Sequence, residues 1–135
     1  MALTVLDAGV VIALLDGRDV HHAAAEDALR EAFAAGDELV LPASAYAECL
    51  VAPLRSGPGA AAVVDDLLDA LPARVAPISR LTARAAATLR ARHGRALRLP
   101  DALVVAVAIE LRADRVLTTD GRWPELQVAV DVVAG

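Results

Sequence analysis

Two kinds of apolar pattern alternate along the chain. Short apolar runs bounded by turn residues, the pattern of buried strands, occupy residues 2–6, 38–42, 73–78, 115–119 and 126–133. Between them lie Ala- and Leu-rich stretches, most with helical spacing, which predict helices over residues 8–15, 20–36, 44–55, 59–71, 79–94 and 100–113. Ser44 and Ser79 are the predicted N-caps of two of these helices.

This order of elements predicts the fold class. Strands separated by helices form a mostly parallel sheet, and strands that are apolar on both sides require cover on both faces. We therefore expect an α/β fold with a parallel sheet of about five strands flanked by helices on both faces. A chain of 135 residues is long enough to bury a core and fits one domain over residues 1–135.

Four acidic residues occupy special positions in this pattern. Asp7 and Asp120 follow predicted strands, Asp101 lies in the first turn of a nearly all-apolar helix, and Glu48 lies in the first turns of another. Strand ends and the helix starts that follow them face one edge of a parallel sheet, where ligands bind. The sequence therefore predicts that the four carboxylates meet there.

A cluster of four carboxylates repels itself unless a cation neutralises it. An all-oxygen site without sulfur favours Mg²⁺ or Mn²⁺, and such ions support phosphoryl-transfer chemistry. Thr118 and Thr119 lie beside Asp120 and are candidates to bond a carboxylate or a water molecule. Each acid also has a simpler interpretation: Asp7, Asp101 and Asp120 as helix-start or capping residues, and Glu48 as a solvated side chain.

The charge of the chain is unevenly distributed. The formal net charge is −5, and all 13 basic residues are arginine. Seven of them lie in residues 70–100, a window without Asp or Glu: Arg74, Arg80, Arg84, Arg90, Arg92, Arg95 and Arg98. That window carries +7 and the rest of the chain −5 − 7 = −12. Such a segment can hold phosphates in an acidic protein, although a solvated helix face is the alternative.

Composition excludes several classes. Hydrophobic residues make up 57% of the chain, which excludes disorder. Cys49 is the only cysteine, so an intrachain disulfide and a thiolate zinc site are excluded. The chain has no apolar run of membrane-spanning length and no basic stretch before its first apolar residues, so we expect a cytoplasmic protein that does not enter a membrane.

The segments TVLDAGVVIALL, LPASAYAECL and LRLPDALVVAVAIELRADRVLTTDGRW, taken in order, resemble the motifs of the PIN-domain family, and most closely those of VapC-type toxins of bacterial VapBC toxin–antitoxin pairs. The resemblance implies a Mg²⁺- or Mn²⁺-dependent endoribonuclease. It places the metal-binding acids at Asp7, Glu48, Asp101 and Asp120, and a catalytic hydroxyl at Thr118. It further implies a homodimer, a cognate VapB-type antitoxin and an RNA substrate such as tRNA, rRNA or mRNA.

From this resemblance we expect a metal-activated water to attack an RNA phosphodiester. The arginines expected to hold RNA phosphates are Arg80, Arg84, Arg92, Arg95 and Arg98. One departure concerns Ala8 and Gly9, because the family often has a hydroxyl residue after its first aspartate. The rival interpretation is a non-catalytic PIN-like module whose acidic pocket docks a basic peptide. A receiver domain is disfavoured because the chain has no lysine, and an Asp-x-Asp phosphatase because Gly9 stands where its second acid is needed.

Overall fold

The computed structural model describes residues 2–134, in which strands and helices alternate as predicted. The strands are β1 (Leu3–Leu6), β2 (Glu38–Pro42), β3 (Ala73–Ala76), β4 (Arg115–Thr118) and β5 (Val130–Val132). The helices are α1 (Ala8–Leu15), α2 (His22–Ala34), α3 (Ala43–Ser56), α4 (Ala61–Ala70), α5 (Arg80–His93) and α6 (Leu99–Glu110). Short 3₁₀ turns at Pro58–Ala60 and Gly94–Ala96 precede α4 and α6.

The five strands form one parallel sheet in the order β3-β2-β1-β4-β5, which confirms the predicted fold class. Val5 of β1 is paired with Val40 of β2 on one side and with Val116 of β4 on the other. The chain leaves β1 in one direction towards β2 and β3, and later returns to β4 on the opposite side. The carboxyl end of the β1–β4 pair is therefore the switch point of the sheet, where α/β folds bind ligands.

The core is aliphatic and continuous with the sheet. Leu6, Val40, Leu117 and Val105 are each no more than 1% exposed, and full burial of such a side chain contributes about 1.5–3 kcal/mol. Helix α6 is apolar on almost every side because it packs against β1, β2 and β4 as well as α3 and α5. This burial fixes the position of α6, and with it the first turn that carries Asp101.

Two local predictions fare differently at the helix starts. Ser79 caps α5 as predicted: its hydroxyl accepts from the Thr82 N–H at 3.2 Å, and Thr82 Oγ1 reciprocates with the Ser79 N–H at 3.4 Å. The predicted cap at Ser44 is wrong, because α3 begins at Ala43 directly after the extended Pro42. Ser44 is the second residue of the helix, and its buried hydroxyl has no hydrogen-bond partner within residues 2–134.

The remaining differences concern the lengths of elements. Strand β3 ends at Ala76, before Pro77, since proline has no N–H to donate to a ladder. The last predicted strand shortens to three residues at the edge of the sheet. Within the described chain, no helix has both the length and the apolar character that crossing a bilayer requires.

Candidate active site

Asp7 lies where β1 gives way to α1, and both of its carboxylate oxygens are engaged. Oδ1 accepts from the Ala8 N–H at 2.9 Å, so Asp7 does cap α1, as the simpler interpretation proposed. Oδ2 accepts from the Thr118 hydroxyl at 2.7 Å. The residue is 9% exposed. Asp7 therefore caps α1 and still presents part of its carboxylate to the cleft described below.

Thr118 joins the two strands at the switch point. Its side chain is fully buried at the end of β4, and besides donating to Asp7 it accepts from the Asp120 N–H at 3.1 Å. One hydroxyl thus holds a carboxylate from the start of the chain and the backbone of an acid near its end. The juxtaposition of Asp7 and Asp120, predicted from strand ends alone, rests on this residue.

Asp101 faces the same edge from α6. It lies in the first turn of the helix, two residues after Leu99, and is 9% exposed. Arg98 is the N-cap residue of α6, and its Nε lies 3.7 Å from Asp101 Oδ2. Asp101 is therefore not the cap of its helix, and its carboxylate is turned to the cleft described below.

Asp120 is paired with an arginine that the sequence analysis did not single out. Arg122 Nε lies 3.1 Å from Asp120 Oδ1 and Arg122 Nη2 lies 3.4 Å from Oδ2, and the Arg122 N–H also donates to Oδ1 at 2.9 Å. The Arg122 side chain is 87% exposed. The only indication of this pair in the sequence is that Arg122 lies two residues after Asp120.

A cleft of about 460 Å³ brings these groups together at the switch point. Glu48, on the second turn of α3, lines it as an exposed side chain. The full lining is Asp7, Ala8, Gly9, Ile12, Glu48, Arg98, Asp101, Thr119, Asp120, Gly121 and Arg122. All four predicted acids therefore border one space, although nearly the whole chain separates the first from the last.

Electrostatics in the cleft reflect crowding of negative charge. Burial raises the pKa of Asp7, with further increases from Asp101 and Asp120, against the lowering effect of the Thr118 hydrogen bond. Burial also raises the pKa of Glu48, and the charges of Asp7 and Asp101 add to it. Asp7 and Glu48 therefore both have pKa values above those of free carboxyl groups.

Asp101 and Asp120 show how the arginines oppose this crowding. Burial raises the pKa of Asp101, while Arg98 and the N–H of Trp123 act against it. That indole N–H is buried and forms no hydrogen bond within the described residues, so Arg98 is the stronger of the two opposing groups. The hydrogen bonds from Arg122 hold the pKa of Asp120 below its usual value. The site is therefore acidic inside and cationic at its rim.

The donor set fits a hard divalent cation. It offers only oxygen ligands, and a cation would relieve the repulsion that raises the three carboxyl pKa values. In residues 2–134, however, no three acidic, His or Cys side chains stand close enough together to hold one ion. The four acids surround the cleft and do not form a tight shell, and two of them, Asp101 and Asp120, contact Arg98 and Arg122.

Comparison with known families identifies the family of this chain. The model of the PIN domain matches residues 4–129, which is almost the entire chain. The chain belongs to the PIN-domain family. The family resemblance inferred from the ordered motifs is thereby confirmed.

Solved structures share the PIN fold at low sequence identity. VapC20 of Mycobacterium tuberculosis, described as a toxin that cleaves the sarcin–ricin loop, is 18% identical, with a TM-score of 0.66 over 84% of this chain and 86% of that one. A toxin–antitoxin complex from Klebsiella pneumoniae is 22% identical, with a TM-score of 0.69 over 87% and 86%. VapBC2 from Rickettsia felis, bound to promoter DNA, is 14% identical, with a TM-score of 0.69 over 96% and 97%. Sequence comparison with curated proteins gives no match.

The arginines predicted to hold phosphates divide into two groups in this PIN domain. Arg95 and Arg98 line a smaller pocket of about 260 Å³ beside the cleft, together with Asp101, Asp120 and Arg122. The other three, Arg80, Arg84 and Arg92, are exposed on α5 and belong to neither lining.

Cys49 follows Glu48 in the sequence but lies in the core, where it is 1% exposed. Burial raises the pKa of its thiol to about 12, helped by the charge of Glu48. A thiol with so high a pKa is not a nucleophile at neutral pH, and Cys49 does not line the cleft.

Proposed function

We propose that this PIN-domain chain, a single domain over residues 1–135, is a metal-dependent endoribonuclease and the VapC-type toxin of a type II toxin–antitoxin system. The observation that carries the proposal is the convergence of Asp7, Glu48, Asp101 and Asp120 on one cleft at the switch point of the sheet. Membership of the PIN-domain family supports the same conclusion.

Asp7, Asp101 and Asp120, with Glu48 as a further ligand, are the residues that would hold Mg²⁺ or Mn²⁺. A divalent cation bound there supplies charge neutralisation and a lowered pKa for water. The Asp7 carboxylate is held at both oxygens by buried hydrogen bonds, from the Ala8 N–H and from the Thr118 hydroxyl. Thr118 is therefore the residue that orients Asp7, and this is its role in catalysis.

Arginines at the rim bind the RNA backbone. Arg98 lines the cleft, and with Arg95 it lines the smaller pocket beside it; guanidinium groups bind phosphate through paired hydrogen bonds. Arg80, Arg84 and Arg92 extend the cationic surface along α5 and contact phosphates farther from the scissile bond. With aromatic residues at 2% of the chain, recognition depends on RNA shape and backbone more than on base stacking.

The cellular assignments follow from the toxin proposal. The partners are an RNA substrate (tRNA, rRNA or mRNA), a VapB-type antitoxin and a second copy of the chain, and the protein acts in the cytoplasm. Support for an antitoxin partner comes from the Klebsiella pneumoniae and Rickettsia felis structures, which are toxin–antitoxin complexes by description. Support for an RNA substrate comes from the description of VapC20.

A second candidate function is a non-catalytic module whose acidic pocket docks a basic peptide. The observation in its favour is that Arg98 and Arg122 pair with Asp101 and Asp120 at the rim of the cleft. A pocket that accepts guanidinium groups of its own chain has the chemistry to accept those of a partner. Metal dependence separates the two functions, because peptide docking has no need of a cation.

The test is cleavage of total bacterial RNA by the purified protein with Mg²⁺ or Mn²⁺, with EDTA, and with Asp101→Asn in parallel. We expect cuts at discrete sites that are lost with EDTA and in the variant. Equal cleavage by wild type and variant would identify a contaminating nuclease. No cleavage by either, with tight binding of a small basic protein, would favour the docking module.

A further inference from the structure

Thr119 is a half-buried residue of the cleft whose hydroxyl is uncommitted. It lines the cleft with the four acids, and within residues 2–134 its hydroxyl takes part in none of the hydrogen bonds that fix the site. The adjacent Thr118, by contrast, uses its hydroxyl as both donor and acceptor. A hydroxyl can donate one hydrogen bond and accept two, so Thr119 has its donor available to a ligand.

Gly9 explains how Thr119 comes to occupy this position. A Cβ added at Gly9 would lie 2.5 Å from Thr119 Oγ1, but 3.7 Å from its Cβ and 3.8 Å from its Cγ2. The hydroxyl is therefore the part of Thr119 that approaches α1. Any side chain at position 9 would push it away, because real Cβ atoms do not approach oxygen so closely. Gly9 leaves room for the hydroxyl of a residue 110 positions later.

We propose that Thr119 is a substrate-contacting catalytic residue, whose hydroxyl donates a hydrogen bond to a non-bridging oxygen of the scissile RNA phosphate. This inference rests on the proposed ribonuclease function. The hydroxyl adds a neutral donor within a cleft of carboxylates, where a phosphate needs donors to offset repulsion. Arg98 and Arg122 line the same cleft and supply positive charge for the phosphate, while the Thr119 hydroxyl fixes the position of one phosphate oxygen. The Gly9–Thr119 pair thus supplies, from the residue that follows β4, a hydroxyl that the sequence lacks after Asp7.

Three variants test the contact by steady-state cleavage of one defined RNA site. Thr119→Val keeps the shape and removes the hydroxyl, and kcat/KM should fall about 10- to 100-fold, the range for a hydrogen bond to a charged group. Thr119→Ser keeps the hydroxyl and should stay within about threefold of wild type. The Tm of Thr119→Val should match wild type, because the hydroxyl makes no hydrogen bond within residues 2–134 that the substitution could remove. A merely structural role would instead lower Tm and leave kcat/KM unchanged.

A double-mutant cycle tests the part assigned to Gly9. Gly9→Ala should lower kcat/KM in the wild-type background, since its methyl group collides with Oγ1. In a Thr119→Ala background, the same substitution should cost nothing further in kcat/KM. Equal losses in both backgrounds would overturn the pairing of the two residues.

The outcomes for the two proposals are distinguishable. Cleavage by wild type that is lost in Asp101→Asn but unchanged in Thr119→Val would overturn the role of Thr119 and leave the ribonuclease proposal intact. No metal-dependent cleavage by wild type would overturn both. As a matched control, Thr88→Val removes an exposed hydroxyl bonded only within α5, to Arg84 O, and should leave kcat/KM unchanged.

Discussion

Replacing Thr118 by valine is the sharpest test of how the site is held together. The substitution preserves the shape of a fully buried side chain and deletes only its hydroxyl. Two groups then lose their partner: the Asp7 carboxylate, bonded at 2.7 Å, and the Asp120 N–H, bonded at 3.1 Å. We expect Thr118→Val to destabilise the fold and to disturb both acids at once.

The magnitude follows from these two bonds. A buried hydrogen bond to a charged group contributes about 1.5–3 kcal/mol, and a backbone N–H left without an acceptor costs about 1–3 kcal/mol. The Asp120 N–H is only partly buried, so water reduces its share, and the total is about 3 kcal/mol. For a chain of this size, roughly 3–5 °C of Tm per kcal/mol gives a decrease of about 9–15 °C.

The pH dependence supplies an independent check. Burial raises the pKa of Asp7 above its ordinary value of 3.8, and the Thr118 hydrogen bond opposes that rise because it favours the ionised form. The stabilisation from Thr118 is therefore largest where Asp7 is ionised, and it shrinks as pH falls through the raised pKa. The difference in unfolding free energy between wild type and Thr118→Val should be larger at about pH 7 than at about pH 3.

Urea or thermal unfolding followed by circular dichroism measures both quantities, with Thr88→Val as the matched control. Thr88 is exposed and its hydroxyl bonds only to Arg84 O in its own helix, so its loss should change stability by less than about 0.5 kcal/mol. The reasoning fails if Thr118→Val is no more destabilising than this control, or if its effect is the same at both pH values.

Three further predictions concern charge in the cleft. Without divalent cations, Glu48→Gln should raise Tm at about pH 7, since burial and the charges of Asp7 and Asp101 raise the pKa of Glu48 and a raised carboxyl pKa lowers stability as pH rises through it; the gain should disappear towards about pH 3, and an unchanged or lower Tm at neutral pH would contradict this. Mg²⁺ or Mn²⁺ should raise the Tm of wild type but not that of Asp101→Asn in a thermal shift assay, because a ligand that binds only the folded state stabilises it; equal shifts would place the ion elsewhere. Arg98→Ala should reduce the slope of log affinity for RNA against log salt by about 0.7, as expected for one lost phosphate contact to a single strand, whereas Arg30→Ala on α2 should leave the slope unchanged.

Features governed by the repeat of strands and helices were predictable. Parallel strands must end at a common edge, so acids directly after β1 and β4 had to face the same space. Helix α6 was recognisable because it is apolar on nearly every side, and its position fixes Asp101. The cap at Ser79 follows from local chemistry, since its partner Thr82 is three residues away.

Features that depend on contacts distant in sequence were not predictable. Nothing local distinguishes Gly9 from any glycine after a strand, because the residue that requires it lies in the segment after β4. The error at Ser44 has a similar origin: a serine near a helix start is a common cap, but the extended Pro42 starts α3 earlier. Charge alone did not distinguish Arg98, which lines the cleft, from Arg84, which does not.

The hydrogen bond between Thr118 and Asp7 spans 111 positions of the chain. Synthesis proceeds from the amino end, so β1 can pair with β2 long before β4 exists. During that interval Asp7 has its helix but lacks its hydroxyl partner, and Asp120 has not been made. Loop closure over such a distance is slow compared with helix formation. A product truncated before β4 would therefore carry three of the four acids without an assembled cleft, so that the proposed active site is completed only when the last strands of the sheet have been made.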